Sequence, residues 1–575
     1  MRASFAFVLV ASSLVACASE AGSPAPEPEV EAPPPEEPAA TAPKLETVPC
    51  RFIVPRSVEG KTFHCADLSV PENRRVPNGK TIKLHVAVVK GKEGGVPTIE
   101  LVGGPGGNSD SIVGGVAARR TALLRAYGRF LDAGDLVLFD QRGTGRSLPR
   151  LSCGMDERGP ASCRADLEKQ GIDVAAYDTV ENADDVHDLV RALGAAKVDL
   201  HGISYGTRLG IEVLKRHPGD VRAAILDGVM PSDVPVLGNF EIAIDRILTT
   251  VFAACAADEK CTTTYPNLDA TLTQVKAKLD ATPFKATDPI YGTYTYDWRA
   301  FTSELVQRSY EEGAAARIPW WIHGLLAQTE AEWTAAQDKA MAEAEARYVE
   351  EEKADAENPL AAELSAAMRA MGQEDWAATD MAYGMYLSVT CNDYAQHESL
   401  AEARAALAKV RPELRDPAAV EDEFAMCEVW AKRPSDPGVR AAPTFGGPVL
   451  LIGGALDPAT PSVWAEHVAT TLPKGQLVTV PTGGHGLMDE CGGAMKGAFL
   501  LDPTRSVDSA CATERTIAFY YDGPKGLRSA RANEFGPAIR PASTSMGRVA
   551  DRVLAAMSAP LVGLPHVREI ARHRR

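Results

Sequence analysis

Short apolar runs bounded by turn residues alternate with amphipathic segments along much of the chain. Thr81–Val88 alternates polar and apolar positions, which predicts an antiparallel strand near the start of the sheet. Thr98–Val102 and Asp135–Phe139 are mostly apolar, as expected of strands that are covered on both faces. Asn182–Gly194 has helical spacing and ends at a glycine. Strands that alternate with helices predict an α/β fold with a mostly parallel central sheet flanked by helices.

A sharp turn between a strand and a helix follows the next apolar run. The run that begins at Val198 breaks at G-I-S-Y-G, residues 202–206, and helical spacing resumes at Leu209. The two glycines leave room for strand and helix to pass close together, so Ser204 lies at the tip of a strained turn. This pattern is typical of the nucleophile elbow of α/β-hydrolases and makes Ser204 the candidate nucleophile.

A glycine-rich loop, G-G-P-G-G at residues 103–107, follows an earlier predicted strand. Bare backbone at the end of a buried strand is what an oxyanion hole requires. Pro105 has no N–H, so the N–H of Gly104 is the predicted donor, with Gly103 as the alternative. The N–H of Tyr205, directly after the nucleophile, is the predicted second donor.

Two strands near the end of the chain lead to an acid and to a histidine. Pro448–Ile452 exits to Asp457, and Gly475–Val480 exits to His485. The order serine, acid, histidine is the one expected of an α/β-hydrolase triad. His485 is then the general base, and Asp457 fixes its tautomer and stabilises the imidazolium. Asp227, which also lies at a strand end, is the alternative acid.

The segments that carry this chemistry can be compared with known families as a set. G-G-P-G-G-N-S at 103–109, D-Q-R-G-T-G-R-S at 140–147, G-I-S-Y-G-T at 202–207 and the strand at 221–229 together resemble the proline iminopeptidase and tripeptidyl aminopeptidase family of α/β-hydrolases. The resemblance covers most of residues 46–235 and returns at about 445–515. It implies a serine exopeptidase that acts on free peptide N-termini, although similar sequences include endopeptidases and esterases.

The resemblance also bears on individual residues. D-P-A-T-P at 457–461 matches the family, which favours Asp457 over Asp227; Asp227 is interpreted as bracing a turn. The histidine that usually precedes G-G-P-G is Val102 here, a departure that the tripeptidyl branch shares and that leaves the backbone donors intact. The charged loop 140–147 is interpreted as a brace for the site.

Long helical patterns, including Ala331–Met371, interrupt the strand rhythm between residues 236 and 440 and predict a helical cap inserted over the active site. Aromatic residues in the cap either line a substrate pocket or pack its core. Cap carboxylates bind the substrate ammonium in the family, although carboxylates on cap helices are usually just solvated. The aromatic candidates are Trp320, Trp321, Tyr383 and Tyr386, and the acidic ones are Glu304, Glu311, Glu312 and Asp393.

The chain starts with Met1 and Arg2, followed by the apolar segment Ala3–Val15, which has the length of a signal-peptide core and is too short to span a membrane. L-V-A-C at 14–17 resembles a bacterial lipobox with Cys17 as the lipidated residue; an ordinary signal peptide with a chance cysteine is the alternative. The predicted organisation is a lipoprotein signal at 1–17, a disordered linker rich in Pro, Glu and Ala at 18–45, hydrolase core at 46–235, helical cap at 236–440, hydrolase core at 441–540 and a C-terminal tail at 541–575.

The eleven cysteines comprise Cys17 and five couples of residues that are near one another in the sequence. Such couples predict disulfides and an exported protein. A metal site is the alternative, but no couple has zinc-finger spacing and no phosphate-binding or dinucleotide motif occurs, so we predict no metal and no cofactor. The predicted disulfides are Cys50–Cys65, Cys153–Cys163, Cys255–Cys261, Cys391–Cys427 and Cys491–Cys511.

The formal net charge of −17 argues against binding of nucleic acid. The sequence therefore predicts an exported serine hydrolase, lipid-anchored to a bacterial membrane on its periplasmic or cell-surface side. Its predicted reaction is removal of residues or short peptides from free peptide N-termini through an acyl-enzyme. A carboxylesterase or an endopeptidase of the same fold is the alternative. A lipoprotein that only binds is a third hypothesis, and the complete triad argues against it. The sequence does not determine the oligomeric state.

Overall fold

The computed structural model describes residues 43–153, 159–288, 292–310, 313–327, 353, 355–372, 377–434 and 436–521. The predicted signal peptide with Cys17, nearly all of the linker, most of Ala331–Met371 and the C-terminal tail lie outside the described residues. The described residues belong to one compact unit, so the boundaries of the cap stay a prediction.

The strands that the structure describes are β1 Leu45–Thr47, β2 Phe63–Pro71, β3 Thr81–Val89, β4 Thr98–Leu101, β5 Leu136–Phe139, β6 Val198–Ile203, β7 Val221–Asp227, β8 Phe284–Asp288, β9 Gly292–Tyr296, β10 Val449–Gly454 and β11 Gly475–Val480. The central sheet has nine strands in the order β1-β2-β3-β5-β4-β6-β7-β10-β11. β1, β2 and β3 are antiparallel, as is the pair of β3 with β5, and the remaining pairs are parallel. This mostly parallel sheet confirms the α/β-hydrolase fold that the sequence predicts.

The α-helices of the described residues are α1 Asp110–Ala117, α2 Thr121–Tyr127, α3 Gly159–Lys169, α4 Thr179–Leu193, α5 Tyr205–Arg216, α6 Phe240–Ala257, α7 Glu259–Thr264, α8 Leu268–Ala281, α9 Trp298–Ser309, α10 Ile318–Ala327, α11 Pro359–Arg369, α12 Tyr383–Val389, α13 Leu400–Leu407, α14 Pro417–Ala425, α15 Ser462–Ala469, α16 Glu490–Leu501 and α17 Ala510–Thr513. A π-helical turn, Thr390–Tyr394, continues α12. Short 3₁₀ turns occur at Arg56–Val58, Gly128–Phe130, Val174–Ala176, Pro218–Asp220, Ala314–Arg317, Pro412–Leu414 and Pro437–Arg440.

Side chains of the parallel strands alternate between two apolar layers. In β5, Val137 and Phe139 join the cluster on one face of the sheet, and Leu136 and Leu138 join the cluster on the other. Successive side chains of a strand point to opposite faces of the sheet, so a strand that is apolar at every position must be covered on both faces. The continuous apolar runs of the sequence predict this arrangement. A third cluster lies within the helices of residues 240–327 and 400–420 and has its own aromatic core.

The register of the parallel strands aligns their carboxyl ends at one edge of the sheet. Ile203 at the end of β6 pairs with Asp227 at the end of β7, and Asp227 is in turn opposite Ile452 of β10. Gly454 at the end of β10 pairs with Val480 of β11. The loops that leave these strands therefore meet at this edge, which is where α/β sheets form their sites. Within the described residues, no helix is long and apolar enough to cross a membrane.

Candidate active site

Ser204 lies between β6 and α5 with an unusual backbone conformation. Its φ is 57° and its ψ is −127°, a region that non-glycine residues rarely adopt. The Ser204 N–H donates a hydrogen bond of 3.0 Å to the carbonyl oxygen of Asp227, and the Ser204 carbonyl accepts one of 2.8 Å from the N–H of Thr207. These bonds hold the strained turn that the sequence predicts, with the serine at its tip.

The glycines beside the serine are required by close approach of the backbone. A Cβ added to Gly206 would lie 1.8 Å from the carbonyl oxygen of Leu101 in β4. A Cβ added to Gly202 would lie 2.5 Å from the carbonyl oxygen of Gly206. Any side chain at these positions would push α5 away from the sheet, because real Cβ atoms do not approach other atoms this closely.

The glycine loop that follows β4 lies against Ser204. A Cβ added to Gly103 would be 2.8 Å from Ser204 Cβ and 3.4 Å from Ser204 Oγ. Gly104 has a φ of +125°, which restricts the position to glycine. Neither the N–H of Gly104 nor that of Tyr205 donates to an acceptor within the described part of the chain. Both predicted oxyanion donors are therefore available beside the serine.

Asp457 and His485 form a direct hydrogen-bonded pair. The His485 Nδ1 is 2.8 Å from Asp457 Oδ2 and 3.0 Å from Oδ1. Asp457 is buried, and its Oδ1 also accepts hydrogen bonds of 2.8 Å from the N–H groups of Ala459 and Thr460. A carboxylate on Nδ1 fixes the tautomer that leaves Nε2 unprotonated and able to accept a proton.

Thr460 is a contact of this pair that the sequence analysis missed. Its hydroxyl donates to Asp457 Oδ2 at 2.7 Å and is 3.1 Å from His485 Nδ1. The hydroxyl oxygen thus shares the imidazole N–H with the carboxylate and helps to orient the ring. The signal lies in the segment D-P-A-T-P, where a hydroxyl residue follows the acid by three positions.

The loop that carries His485 contacts the elbow. A Cβ added to Gly486 would lie 2.7 Å from Cδ1 of Ile203, the residue before Ser204. A Cβ added to Gly228 would lie 3.5 Å from His485 Cε1. The structure therefore brings the predicted serine, acid and histidine to one place at the carboxyl edge of the sheet.

The surroundings of His485 raise its affinity for a proton. Burial by itself lowers the pKa of His485, but the charge and hydrogen bond of Asp457, together with the charge of Asp227, outweigh burial and hold this pKa above its ordinary value of 6.5. An imidazole of raised pKa becomes protonated as the pH falls and can then no longer accept a proton. The site therefore requires neutral to alkaline conditions if His485 is its base.

Asp227, the alternative acid, is engaged elsewhere. Its Oδ2 is 2.6 Å from Nζ of Lys496 in α16 and accepts a hydrogen bond of 2.9 Å from the N–H of Leu487. Burial raises the pKa of Asp227, but the Lys496 ammonium and these hydrogen bonds lower it below its usual value. Asp227 thus braces the loop that carries His485, in line with the interpretation from sequence.

The cap contributes backbone and aromatic contacts that the sequence analysis did not find. Tyr310, directly after α9, accepts the N–H of His485 at its carbonyl oxygen at 3.0 Å, and the two rings meet edge to face at 5.0 Å between centroids. The N–H of Ala382 donates to the carbonyl oxygen of Gly106 at 2.8 Å. Tyr310, directly after α9, and Ala382, directly before α12, give no sequence signal for these contacts, since any residue type can supply a backbone donor or acceptor.

The charged loop after β5 has the bracing contacts that its composition predicts. Gln141 donates to the carbonyl oxygen of Val102 at 2.7 Å, directly before the glycine loop. Arg142 is buried and binds both carboxylate oxygens of Asp185 at 2.7 Å. Bidentate arginine pairs of this kind set the orientation of the loop as well as its position.

The cap residues proposed as pocket or ammonium ligands have contacts of their own. Trp320 and Trp321 are buried in the apolar cluster of the cap. Glu304 accepts from Tyr296 at 2.6 Å and pairs with Arg308. Tyr383 and Tyr386 stack on each other in the apolar cluster beside the sheet. Asp393 is buried and accepts a hydrogen bond of 3.0 Å from the N–H of Thr179. Glu311 and Glu312 lie outside the described residues.

The ten cysteines of the described residues form the five disulfides that the sequence predicts. Each couple closes a short loop, and no bond joins one couple to another. The bonded couples are Cys50–Cys65, Cys153–Cys163, Cys255–Cys261, Cys391–Cys427 and Cys491–Cys511. This content of disulfides is that of an exported protein.

One histidine cluster of the described residues could be considered for a metal ion. His187 and His217 lie near Asp220, and His187 Nδ1 is 2.6 Å from its carboxylate. The two imidazole rings are stacked, with an interplanar angle of 10° and centroids 4.3 Å apart. Nitrogen lone pairs lie in the ring plane, so stacked rings do not point both lone pairs at one ion, and this arrangement does not fit a metal.

A comparison with known protein families finds a match in the part of the chain that carries two of the predicted site residues. The family described as "TAP-like protein" matches residues 416–511, the region that contains Asp457 and His485. The chain has the α/β-hydrolase fold, and its C-terminal part is similar to the TAP-like family. The matched region includes β10 and β11, and the elbow and glycine loop of this hydrolase lie outside it.

Similar proteins include peptidases and an esterase. The serine protease Hip1 of Mycobacterium tuberculosis is 30% identical over 246 residues, 38% of this hydrolase and 46% of the relative. Carboxylesterase B of the same species is 32% identical over 183 residues, 32% and 33% of the two chains. A tripeptidyl aminopeptidase of Streptomyces coelicolor is 28% identical over 199 residues, 30% and 36% of the two chains. Each match spans less than half of the relative's length.

Proposed function

We propose that this exported hydrolase is a serine aminopeptidase that works through an acyl-enzyme. The observation that carries the proposal is the Asp457–His485 pair, at 2.8 Å, beside the strained elbow of Ser204. A nucleophile, a base and an orienting acid at one sheet edge, with two backbone N–H groups available, are the parts that acyl transfer needs.

In the acylation step, Ser204 Oγ attacks the carbonyl carbon of the substrate while His485 Nε2 takes the serine proton. The negative charge that develops on the carbonyl oxygen is bound by the N–H groups of Gly104 and Tyr205, each worth about 3 kcal/mol in the transition state. The imidazolium, stabilised by Asp457, then gives its proton to the leaving group. A water molecule, activated by the same histidine, hydrolyses the acyl-enzyme.

The choice of peptides over esters rests on relatives and on the cap. Proteins named serine protease and tripeptidyl aminopeptidase are among those similar to this chain. The similarity to a carboxylesterase supports the second candidate function, because an esterase uses the same triad. A peptidase that acts on free N-termini differs from an esterase in one physical requirement, a negative group that binds the substrate ammonium.

Glu423 in α14 is our candidate for that group. It is buried, its Oε2 accepts the N–H of Gly238 at 2.6 Å, and burial together with the charges of Glu241 and Glu398 raises its pKa to about 8. Arg440 already pairs with Glu398 at 3.3 Å, and a second cation beside Glu423, such as a substrate ammonium, would offset the repulsion that remains.

Contacts connect this carboxylate with the glycine loop. Ala382 is bound to Gly106, and Tyr386 lies four residues further, one turn into α12. Burial and then the charge of Glu423 raise the pKa of Tyr386. We propose that an ammonium bound by Glu423 belongs to a short peptide whose scissile bond lies at the glycine loop.

The test compares free and N-acetylated peptide anilides with matched p-nitrophenyl esters, on a soluble form that lacks residues 1–42. An aminopeptidase cleaves the free peptides and leaves the acetylated ones intact, because only the former carry an ammonium. Equal cleavage of acetylated peptides would indicate an endopeptidase. Activity on esters alone would establish the carboxylesterase.

The Glu423→Gln substitution extends the test to the ammonium site. We expect the KM for free peptides to rise about 10-fold or more, since a buried charged contact is lost, while ester hydrolysis stays as it was. Glu421→Gln on the same helix, where the carboxylate pairs with Arg404 at the surface, is the matched control and should change neither. An equal effect of Glu423→Gln on esters would count against the assignment.

Membrane attachment is a separate part of the proposal. We propose that Cys17 carries a lipid that anchors the protein to a bacterial membrane, with residues 18–45 as a spacer. Cys17→Ser should move the protein from the membrane fraction to the soluble fraction, and persistence in the membrane fraction would contradict lipidation at this residue.

A further inference from the structure

The ion pair of Lys496 with Asp227 lies directly behind the catalytic groups. Lys496 is 1% exposed, and its Nζ is 2.6 Å from Asp227 Oδ2. It lies in the apolar sequence G-G-A-M-K-G-A-F of α16, where every neighbouring side chain is uncharged. A buried lysine in such a helix is expensive to desolvate and is rarely retained without a partner.

Asp227 connects three parts of the site. Its carbonyl oxygen accepts the N–H of Ser204 at 3.0 Å, and its carboxylate accepts the N–H of Leu487, two residues after the histidine. A Cβ added to Gly486 would lie 3.9 Å from Asp227 Oδ2, so this carboxylate is close to the backbone that follows His485. The carboxylate of Asp227 therefore lies beside the loop that carries His485, and its charge favours the protonated imidazole.

Two carboxylates thus act on one histidine. Asp457 holds Nδ1 directly, and the charge of Asp227 also favours the imidazolium. A second unopposed anion would raise the pKa of the imidazole further, and a protonated His485 cannot accept the proton of Ser204.

We propose that Lys496 is a positioning residue that offsets part of the charge of Asp227, so that this second carboxylate adds little to the effect of Asp457 on His485 and the base stays available at neutral pH. This inference rests on the proposed function of His485 as the base. Asp227 then has a structural role, because it holds the elbow and the histidine loop together. A carboxylate can occupy this position next to the triad only because Lys496 pairs with its charge.

The other ionisable groups around the pair are accounted for. His201 in β6 is buried with its Nδ1 2.5 Å from Glu100, and Tyr127 also donates to Glu100. Tyr310 of the cap faces His485, and burial and Asp457 raise its pKa, so it stays neutral. Lys496 is therefore the cation that touches Asp227 within the described residues.

The experiment follows the acid limb of the pH profile in four forms of the protein: the natural chain, Lys496→Gln, Asp227→Asn and the double variant. The readout is the rate at which an organophosphonate probe labels Ser204, which needs a neutral His485 and does not depend on the natural substrate. For the natural chain, the midpoint of the acid limb should lie above 6.5.

Glutamine at 496 keeps a hydrogen-bond donor for Asp227 and removes the positive charge, so the midpoint should rise by about one pH unit. Asp227→Asn leaves the lysine charge and should lower the midpoint, and the double variant should return close to the natural value. Lys474→Gln, which removes an exposed charge, is the matched control and should leave the midpoint unchanged.

Equal midpoints in the natural chain, Lys496→Gln and Asp227→Asn would overturn the inference. If Lys496→Gln does not fold, Asp227→Asn is compared with the double variant, which differs only by the charge at 496; equal midpoints there overturn it too. Absence of labelling in the natural chain would instead refute the proposed function, so the two failures are distinguishable.

Discussion

Ser204→Ala should lower kcat by about 10⁶-fold, the scale seen when the nucleophile of a serine hydrolase is removed. The hydroxyl oxygen of Ser204 forms the covalent bond with the substrate, so neither His485 nor the oxyanion donors can replace it. Residual turnover over the uncatalysed reaction would come from the donors and from binding, and substrate should still bind with its natural affinity.

Steady-state turnover together with mass spectrometry of probe-treated protein measures this effect, since the alanine variant should gain no adduct. Ser204→Gly is the matched control. It is equally inactive, but glycine tolerates a φ of 57°, so in thermal unfolding it should be more stable than the alanine variant by about 1 kcal/mol. Substantial turnover in either variant would mean that another residue is the nucleophile.

Asp457→Asn should lower kcat by about 10⁴-fold, because an amide at this position favours the wrong imidazole tautomer. Asp227→Asn should have a far smaller effect at neutral pH, since its carboxylate bonds to Lys496 and Leu487 and not to the imidazole. This pair of variants decides between the two acids that the sequence leaves as candidates.

Both variants should be normalised to the concentration of reactive serine, because Asp227→Asn leaves a buried lysine unpaired and lowers stability by several kcal/mol. Normalised in this way, the two kcat values compare chemistry alone. A larger loss of kcat in Asp227→Asn than in Asp457→Asn would mean that Asp227, and not Asp457, is the acid of the triad.

The sequence was informative wherever residue type reflects a local requirement. The apolar runs identify β4, β5, β10 and β11 because a strand buried on both faces has no polar positions. The elbow could be found because only glycine fits at 202 and 206, where a Cβ would meet backbone atoms. The disulfides could be paired because each couple is local in the sequence.

The contacts of the cap could not be found in the same way. The bond from Ala382 to Gly106 and the bond from His485 to Tyr310 use backbone atoms that every residue has. Residues at these positions are therefore free to vary in type, and no spacing marks them. Glu304 is a mixed case, because its pair with Arg308 follows from i,i+4 helical spacing whereas its hydrogen bond from Tyr296 depends on the fold.

Lys496 is an intermediate case. A lone lysine in an apolar helix is visible in the sequence, but the partner that explains it is more than two hundred and fifty positions earlier, at the end of β7. The sequence pattern indicates a buried charge, and only the folded structure shows that Asp227 is the carboxylate that pairs with it.

The order of the disulfides has a consequence for biogenesis. The ten cysteines of the described residues are joined in sequence order, each to the next, through all five couples. A chain threaded through a membrane pore with its N-terminus first presents each cysteine immediately before its correct partner. In export of this kind, an oxidant that joins thiols in their order of emergence would form these five couples without reshuffling of mispaired bonds.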